Sequence, residues 1–521
     1  TATSDDHLEQ QIEDASYIPS EEEVKELSSR LSAANAIVLR LEAELRLIMA
    51  EVPRHLVDER RKALDRIALY RRALAPQKRI PVEILRIVIG LSTPQPLTLS
   101  PGTDEPRLLI TQVCARWRAV ALETPELWSD VILGAVRVNN PLRDREMAKE
   151  WLARGKHYLL TLRTWVPNTG YLIGWKWVLD PIKDAILPCA TRLKSVILTL
   201  PYPQVVEILC LPSSTLPVLE DFDITTGYRT WDHGSEQDKK LTLFQSPCVL
   251  RRIKLEIPGY HDLQMLSLPW SQLTSVQLFT NPVPVDTALM ILQSCSILER
   301  FSVRLEENAA INEQRPDHTT SHVSLPHLRF IKLVLSGAAG LENFLMPLSL
   351  RGLNNFEVQC PKPLEWLPHL YLSVLEESFP TLERFWIEDT PDLYSWQANS
   401  PRPEQDVGIF FEKATRLKEI CLLPTILFPQ ITLDKLAAGK LIPAIEFLQL
   451  AVHPDQIEAV LLMLEERHML ANLSRFPRNQ VSRILSVNLI CLKAGVKPGK
   501  AAQCLQNLRK NGMAVEIRGF T

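Results

Sequence analysis

The chain has 521 residues, several times the ~100 to 150 of a usual domain, so it must divide into domains or extend as repeats. Hydrophobic residues make up 46% and charged residues 23%, a globular balance that excludes a largely disordered protein. A net charge of -3 with a pI near 6.4 supplies no global basic field, which argues against nucleic acid or an anionic membrane as partner.

Residues 1–20 are acidic and polar, lack the apolar core of a signal peptide, and read as a disordered tail. Beyond them Val24, Leu27, Leu31, Ala34, Val38, Leu41, Leu45, Ile48 and Val52 alternate steps of three and four, a heptad seam. Ser20 before Glu21, Glu22 and Glu23 supplies an N-cap and an acidic first turn, and Pro53 ends or kinks the helix. A second helical stretch from Leu56 to Leu74 carries Leu64, Ile67 and Leu74. Residues 21–75 therefore form a coiled-coil-like helical segment. Its seam serves either a homodimer through residues 24–52 or a helix folded back on its neighbour, and the spacing leaves both open.

Pro81 suits the start of a helix whose Ile84, Leu85 and Val88 share one face. Thr93 to Pro106, with four prolines and Gly102, reads as a loop. A helix over Leu108–Leu122 follows, with Leu109, Val113, Trp117 and Val120 spaced for one buried stripe. Thr124, Pro125 and Glu126 then open another short helix that ends in Leu127 and Trp128. Such a small helical core tends to be completed by a partner.

Ile80-Pro81-Val82-Glu83-Ile84-Leu85, then Val113-Cys114-Ala115-Arg116-Trp117-Arg118, then Pro125-Glu126-Leu127-Trp128 resemble, in that order, the F-box motif. The resemblance covers 79–133. The departures are Ile80 where leucine is common and a longer Pro-rich loop. The resemblance implies docking on a Skp-family adaptor and, through it, on a cullin carrying the ubiquitin-transfer machinery. Matched residue by residue, it assigns the adaptor contact to Pro81, Ile84, Leu85, Val88, Val113, Trp117, Leu127 and Trp128.

From Leu193 an apolar-x-x-apolar-x-apolar triplet recurs ten times, beginning at Leu193, Leu219, Leu250, Leu273, Leu298, Leu328, Leu353, Leu382, Leu417 and Ile445, with first positions 23 to 35 residues apart. The pattern resembles a leucine-rich repeat, in which each unit gives one short parallel strand and a return segment. The asparagine expected three residues after the last apolar position is present at Asn281 only, so other partners must satisfy the turn backbone and the array should be irregular. An ordinary mixed α/β domain is the alternative. Pro454–Asn472 reads as a helix, and Val487-Leu489-Cys491 and Val515-Ile517 as closing strands of a cap.

The expected fold is thus an α/β repeat, an irregular leucine-rich repeat solenoid over 150–521 with a C-terminal cap, preceded by the all-α three-helix F-box module and the coiled-coil-like segment. Residues flanking the inward pairs would face a partner: Lys254, Glu256, Gln277, Phe279, Ser302, Arg304, Lys332, Glu357, Arg384, Trp386, Glu388 and Gln449. Lys254, Phe279, Arg304, Lys332 and Trp386 are the candidate target contacts, since mixed charge with aromatics suits a protein epitope.

No chemical constellation competes. His318, His322 and His327 beside Asp317 lack cysteine ligands. Val496–Lys500 lacks the residues of a P-loop, and glycine is scarce, 18 against 38 prolines. Nine cysteines, spread widely and without a C-x-x-C pair, look like reduced thiols of a cytoplasmic or nuclear protein. With no stretch of ~18 apolar residues, no membrane partner is expected. No catalytic residue, metal or cofactor is assigned. The expected function is substrate recognition for a Skp-cullin-F-box ubiquitin ligase, with an unknown protein substrate. The alternative is an F-box/leucine-rich repeat scaffold acting outside any ligase.

Overall fold

The computed structural model describes residues 8, 10–12, 17–47, 53–93, 96–98, 105–134, 141–165, 181–200, 202–226, 241–245, 248–257, 267–306, 322–337, 340–362, 364, 366–389, 407–422, 426, 428–452, 456–473, 481–491 and 500–519. The chain divides into two units, Thr1–Leu193 and Lys194–Thr521, and residues 150–193 fall in the first.

In the first unit, Ser20 N–H donates to Glu23 Oε2 at 2.7 Å while Glu23 N–H donates to Ser20 Oγ at 3.3 Å, a reciprocal cap that starts helix α1 (Glu21–Leu47). Helix α2 (Arg54–Ala73) begins straight after Pro53 and fills the seam. Leu27, Ala34 and Val38 share one buried cluster with Ala63, Ile67, Tyr70 and Ala73, and Arg60 pairs with Glu42 at 3.1 Å. The described part of the seam therefore packs against its own neighbouring helix; Ile48 and Val52 lie outside the described residues. The tail differs from expectation. Leu8 and Ile12, four residues apart, are buried in the same cluster, because an i, i+4 apolar pair gives a short helix one sticky side.

A turn at Pro76–Lys78 leads to α3 (Val82–Ser92), β1 (Leu97–Thr98), α4 (Pro106–Val113) and α5 (Ala115–Glu123). A 3-10 turn at Pro125–Trp128, β2 (Asp130–Gly134), α6 (Pro141–Arg154) and β3 (Leu160–Trp165) follow, and short helical turns at Pro181–Ile186, Leu187–Cys189 and Ala190–Arg192 end the unit. The single helix expected over Leu108–Leu122 is broken, because Cys114 is fully extended at φ -164°, ψ 170°. The break folds α4 against α5, burying Ile110 with Val120 and Ala121 while Leu109 and Val113 stay exposed. The segment expected as a loop contributes β1, whose Leu97 pairs with Val131; Val131 pairs in turn with Leu162. The unit is therefore not all-α.

The second unit is mixed α/β on a long parallel sheet. Its strands are β4 (Leu193–Leu200), β5 (Asp221–Thr226), β6 (Arg252–Glu256), β7 (Ser275–Val283), β8 (Arg300–Leu305), β9 (Val323–Ser324), β10 (Phe330–Leu335), β11 (Leu348–Ser349), β12 (Asn355–Cys360), β13 (Arg384–Asp389), β14 (Glu419–Leu422), β15 (Phe447–Val452), β16 (Ser486–Cys491) and β17 (Ala514–Gly519). β9 and β11 form a separate pair; the others stand in chain order, each parallel to the next. Returns vary. Helix α7 (Tyr202–Leu209) follows β4, α8 (Val285–Ser294) follows β7, and α9 (Leu341–Leu345) follows β10. Then α10 (Pro368–Val374), α11 (Gly408–Lys413), α12 (Gln430–Ala437), α13 (Ile457–Leu473) and α14 (Lys500–Lys510) follow the last strands in turn.

All ten triplets are buried throughout, and their middle residues meet in register: Val196 with Phe222, then Ile253, Val276, Phe301, Ile331, Phe356, Phe385, Ile420, Leu448, Val487 and Val515. Alternation causes this, since strand residues two apart share a face. A main-chain ladder also joins the segments just before the strands: Glu220 N–H donates to Lys194 O, Arg251 to Glu220 O, Thr274 to Arg251 O and Glu299 to Thr274 O, each at 2.8 Å. It continues through Arg329, Asn354, Glu383, Lys418, Glu446 and Leu485, pairing a backbone N–H of each segment with a carbonyl of the one before.

Candidate functional site

Helix α3 has two apolar sides. Leu85 and Ile89 are buried in the first unit, whereas Ile84, Ile87, Val88 and Leu91 are 49%, 57%, 38% and 78% exposed. The exposed set follows i, i+3, i+4, i+7 and makes one stripe. Helix α4 touches α3 and exposes Leu109 and Val113. The base under this surface is fastened. Arg107, buried, donates from Nε to Leu127 O at 3.0 Å and from Nη2 to Thr93 O at 3.4 Å, and it pairs with Glu105 at 2.7 Å.

Of the residues matched to the F-box contact, Pro81, Ile84, Val88 and Val113 are exposed. Leu85, Leu127 and Trp128 are buried in the unit's own core, which corrects their assignment as contact residues. Trp128 donates Nε1–H to Ala121 O at 3.0 Å, faces Trp151 at 6.4 Å between ring centroids, and lies under Arg154 at 4.7 Å. Trp117 is half-buried, its Nε1 3.4 Å from Gln77 O. Ile87, Leu91 and Leu109 were not singled out by the motif, although continuing the helical period from Ile84 reaches Ile87 and Leu91.

In the second unit the register sets the residues between the buried positions into rows across the sheet. The first row runs Asp221, Arg252, Ser275, Arg300, Phe330, Asn355, Arg384, Glu419, Phe447; the second runs Asp223, Lys254, Gln277, Ser302, Lys332, Glu357, Trp386, Cys421, Gln449. Arg304, Val334, Gln359 and Glu388 belong to a third. Lys254, Phe279, Arg304, Lys332 and Trp386 are all half-buried. Phe279 stands where the register of β7 against β8 shifts. Ser302 and Gln449, expected to project outward, are buried instead: Ser302 is short and flanked by strands on both sides, and Gln449 donates to Cys421 Sγ at 3.3 Å while accepting from Asn488 Nδ2 at 3.1 Å.

Charge pairs bind neighbouring strands in these rows. Arg252 pairs with Asp221, and Lys254 lies 3.4 Å from Asp223 and 3.9 Å from Glu256. Burial pushes the Asp223 carboxyl up, against the pull of Lys254. Arg384 stands between Glu357 at 3.1 Å and Glu419 at 2.8 Å; the Glu357 contact lacks hydrogen-bond alignment and is purely ionic. Arg384 also covers Trp386 at 4.7 Å, and Trp386 stacks with Phe447 at 5.8 Å and donates to Glu388 Oε2 at 3.2 Å. This fixes an indole on the sheet face.

No family model and no curated protein matches the chain. Among the described residues no three His, Cys, Asp or Glu side chains gather as a metal site would require. His318, Asp317 and residues 496–499 lie outside the described residues. No described helix is long and apolar enough to cross a membrane. The described cysteines carry no disulfide, and burial pushes the Cys189 thiol up to about 11 and that of Cys295 up to about 12, so both are poor nucleophiles near neutrality. A cavity of about 10 Å³ beside Arg467, lined by Leu436, Ile442, Leu448 and Met463, has room for about one water molecule.

Proposed function

We propose that the chain is a non-catalytic substrate-recognition adaptor of a Skp-cullin-F-box ubiquitin ligase. In this reading the first unit contains an F-box that docks a Skp-family adaptor, and the second is an irregular leucine-rich repeat solenoid whose sheet face binds a protein target. The observation that carries it is the exposed stripe Ile84, Ile87, Val88 and Leu91 on the helix that opens the F-box-like sequence. Each such side chain supplies ~1.5 to 3 kcal/mol when fully buried, before association costs, so four of them suffice for a stable complex. Catalysis then belongs to the partner subunits, and the chain contributes proximity between target and conjugating enzyme.

The test is capture of a purified Skp-family adaptor and a cullin by the full chain, wild type beside Ile84→Asp/Val88→Asp. Both positions are exposed, so the variant keeps its fold; Leu85→Asp would bury a charge and confound folding with docking. Capture of both partners by wild type and of neither by the variant is expected. Equal capture by the two proteins, or none by wild type, refutes the reading.

A further inference from the structure

The rows on β7, β8 and β10 differ from those on either side. β7 has no charged residue. Arg300 and Arg304 of β8 stand in the first and third rows, and Lys332 of β10 stands in the second, opposite Ser302. No carboxylate faces outward from these three strands. On one side, β5 and β6 hold Asp221 against Arg252 and Asp223 against Lys254; on the other, β12 to β14 hold Glu357 and Glu419 against Arg384. Arg300 lies 4.5 Å over the Phe330 ring, and neither it nor Arg304 meets a carboxylate among the described residues. Lys332 reaches Glu357 only at 3.9 Å.

Rows two residues apart are ~6.6 Å apart along a strand. Arg300, Lys332 and Arg304 therefore mark three successive rows over ~13 Å. An extended peptide with acidic residues at alternate positions repeats its carboxylates on one face at the same interval.

We propose that this three-strand band binds an extended acidic segment of the target, with carboxylates at i, i+2 and i+4 facing Arg300, Lys332 and Arg304. The proposal rests on reading the sheet as the target surface, and is independent of how α3 docks. Cations spread over three rows suit several carboxylates better than one phosphate. The carboxylates on β5, β6 and β12 to β14 bound the band and repel a longer polyanion, so a short acidic peptide fits where nucleic acid does not.

The experiment is fluorescence anisotropy of the full chain with a labelled peptide of six Glu-Ser repeats. A Lys-Ser repeat, a peptide carrying a single phosphoserine and a single-stranded oligonucleotide serve as comparisons. Saturable binding of the Glu-Ser peptide is expected, weakened by salt and reduced at least tenfold in Arg304→Glu/Lys332→Glu. Arg304→Gln, a milder change whose folding is checked by circular dichroism, should lose at least threefold. No binding, equal binding by the variants, or tighter binding of any comparison ligand overturns the proposal. Adaptor capture is measured on the same samples: capture with no peptide binding sinks the acidic-segment inference alone, and peptide binding without capture sinks the ligase reading alone.

Discussion

Phe385 and Trp386 are adjacent in sequence and on opposite faces of β13, so replacing each with alanine tests the face assignment on which the proposed target surface depends. Phe385 is fully buried, with ring centroids of Phe410 at 4.5 Å, Phe356 at 5.5 Å, Tyr371 at 5.6 Å and Trp366 at 6.1 Å. A buried Phe→Ala change costs ~3 to 5 kcal/mol, and the four aromatic partners lost here put Phe385→Ala at the upper end, near ~5 kcal/mol. Trp386 loses one stacked partner and one cation-π contact on a half-exposed face, about 1 to 2 kcal/mol. The assay is urea unfolding followed by far-UV circular dichroism, with midpoints compared at equal slope. The assignment is refuted if Trp386→Ala costs as much as Phe385→Ala, or if Phe385→Ala costs less than ~2 kcal/mol.

Arg467 is buried and donates to Leu436 O at 2.9 Å, Leu441 O at 3.1 Å and Ile442 O at 2.8 Å, closing the end of α12; burial lowers its guanidinium to about 10. Arg467→Met should destabilise by ~3 kcal/mol in the same urea assay, because the orphaned carbonyls outweigh the relief of removing a buried charge. His468 is buried with neither ring nitrogen hydrogen-bonded among the described residues, and burial, then Arg483, holds its imidazole below the ordinary value of 6.5. The unfolded chain therefore binds the proton first. Stability is complete above pH 6.5 and falls as pH drops below it, by up to about 1.4 kcal/mol per pH unit. His468→Leu should flatten that part of the profile, and equal pH profiles for the two proteins would refute the burial argument.

The parallel strands were legible because a strand buried on one side places its apolar residues at fixed positions, and Val196 through Leu448 fall into one column with no slip. Val487 and Val515 extend that column into β16 and β17. The F-box-like segment was legible as a motif but not as a surface. Ile84 and Leu85 differ by ~100° around a helix, and only tertiary packing decides which of two apolar stripes is covered. The short β1 was hidden because two residues within a Pro-rich stretch carry no period. Arg467 was hidden because a cation that caps carbonyls has no sequence partner to announce it. The heptad seam was real, yet its period could not say whether α2 or a second copy would fill it.

Pairing across the sheet follows from which residues the register sets side by side, and Glu357 is where the structural and binding roles of those pairs meet. It lies between Lys332 at 3.9 Å and Arg384 at 3.1 Å, while Arg384 keeps Glu419 at 2.8 Å. Glu357→Gln preserves volume and leaves Arg384 one full partner, so its stability loss should stay near ~1 kcal/mol. The same change removes the nearest anion from Lys332 and deepens the positive potential over β8 and β10. Binding of the Glu-Ser peptide should therefore tighten several-fold while the urea midpoint falls slightly. A merely structural role for Lys332 predicts that both readouts fall together. Opposite movement identifies Lys332 as a group held by Glu357 until a target carboxylate replaces it.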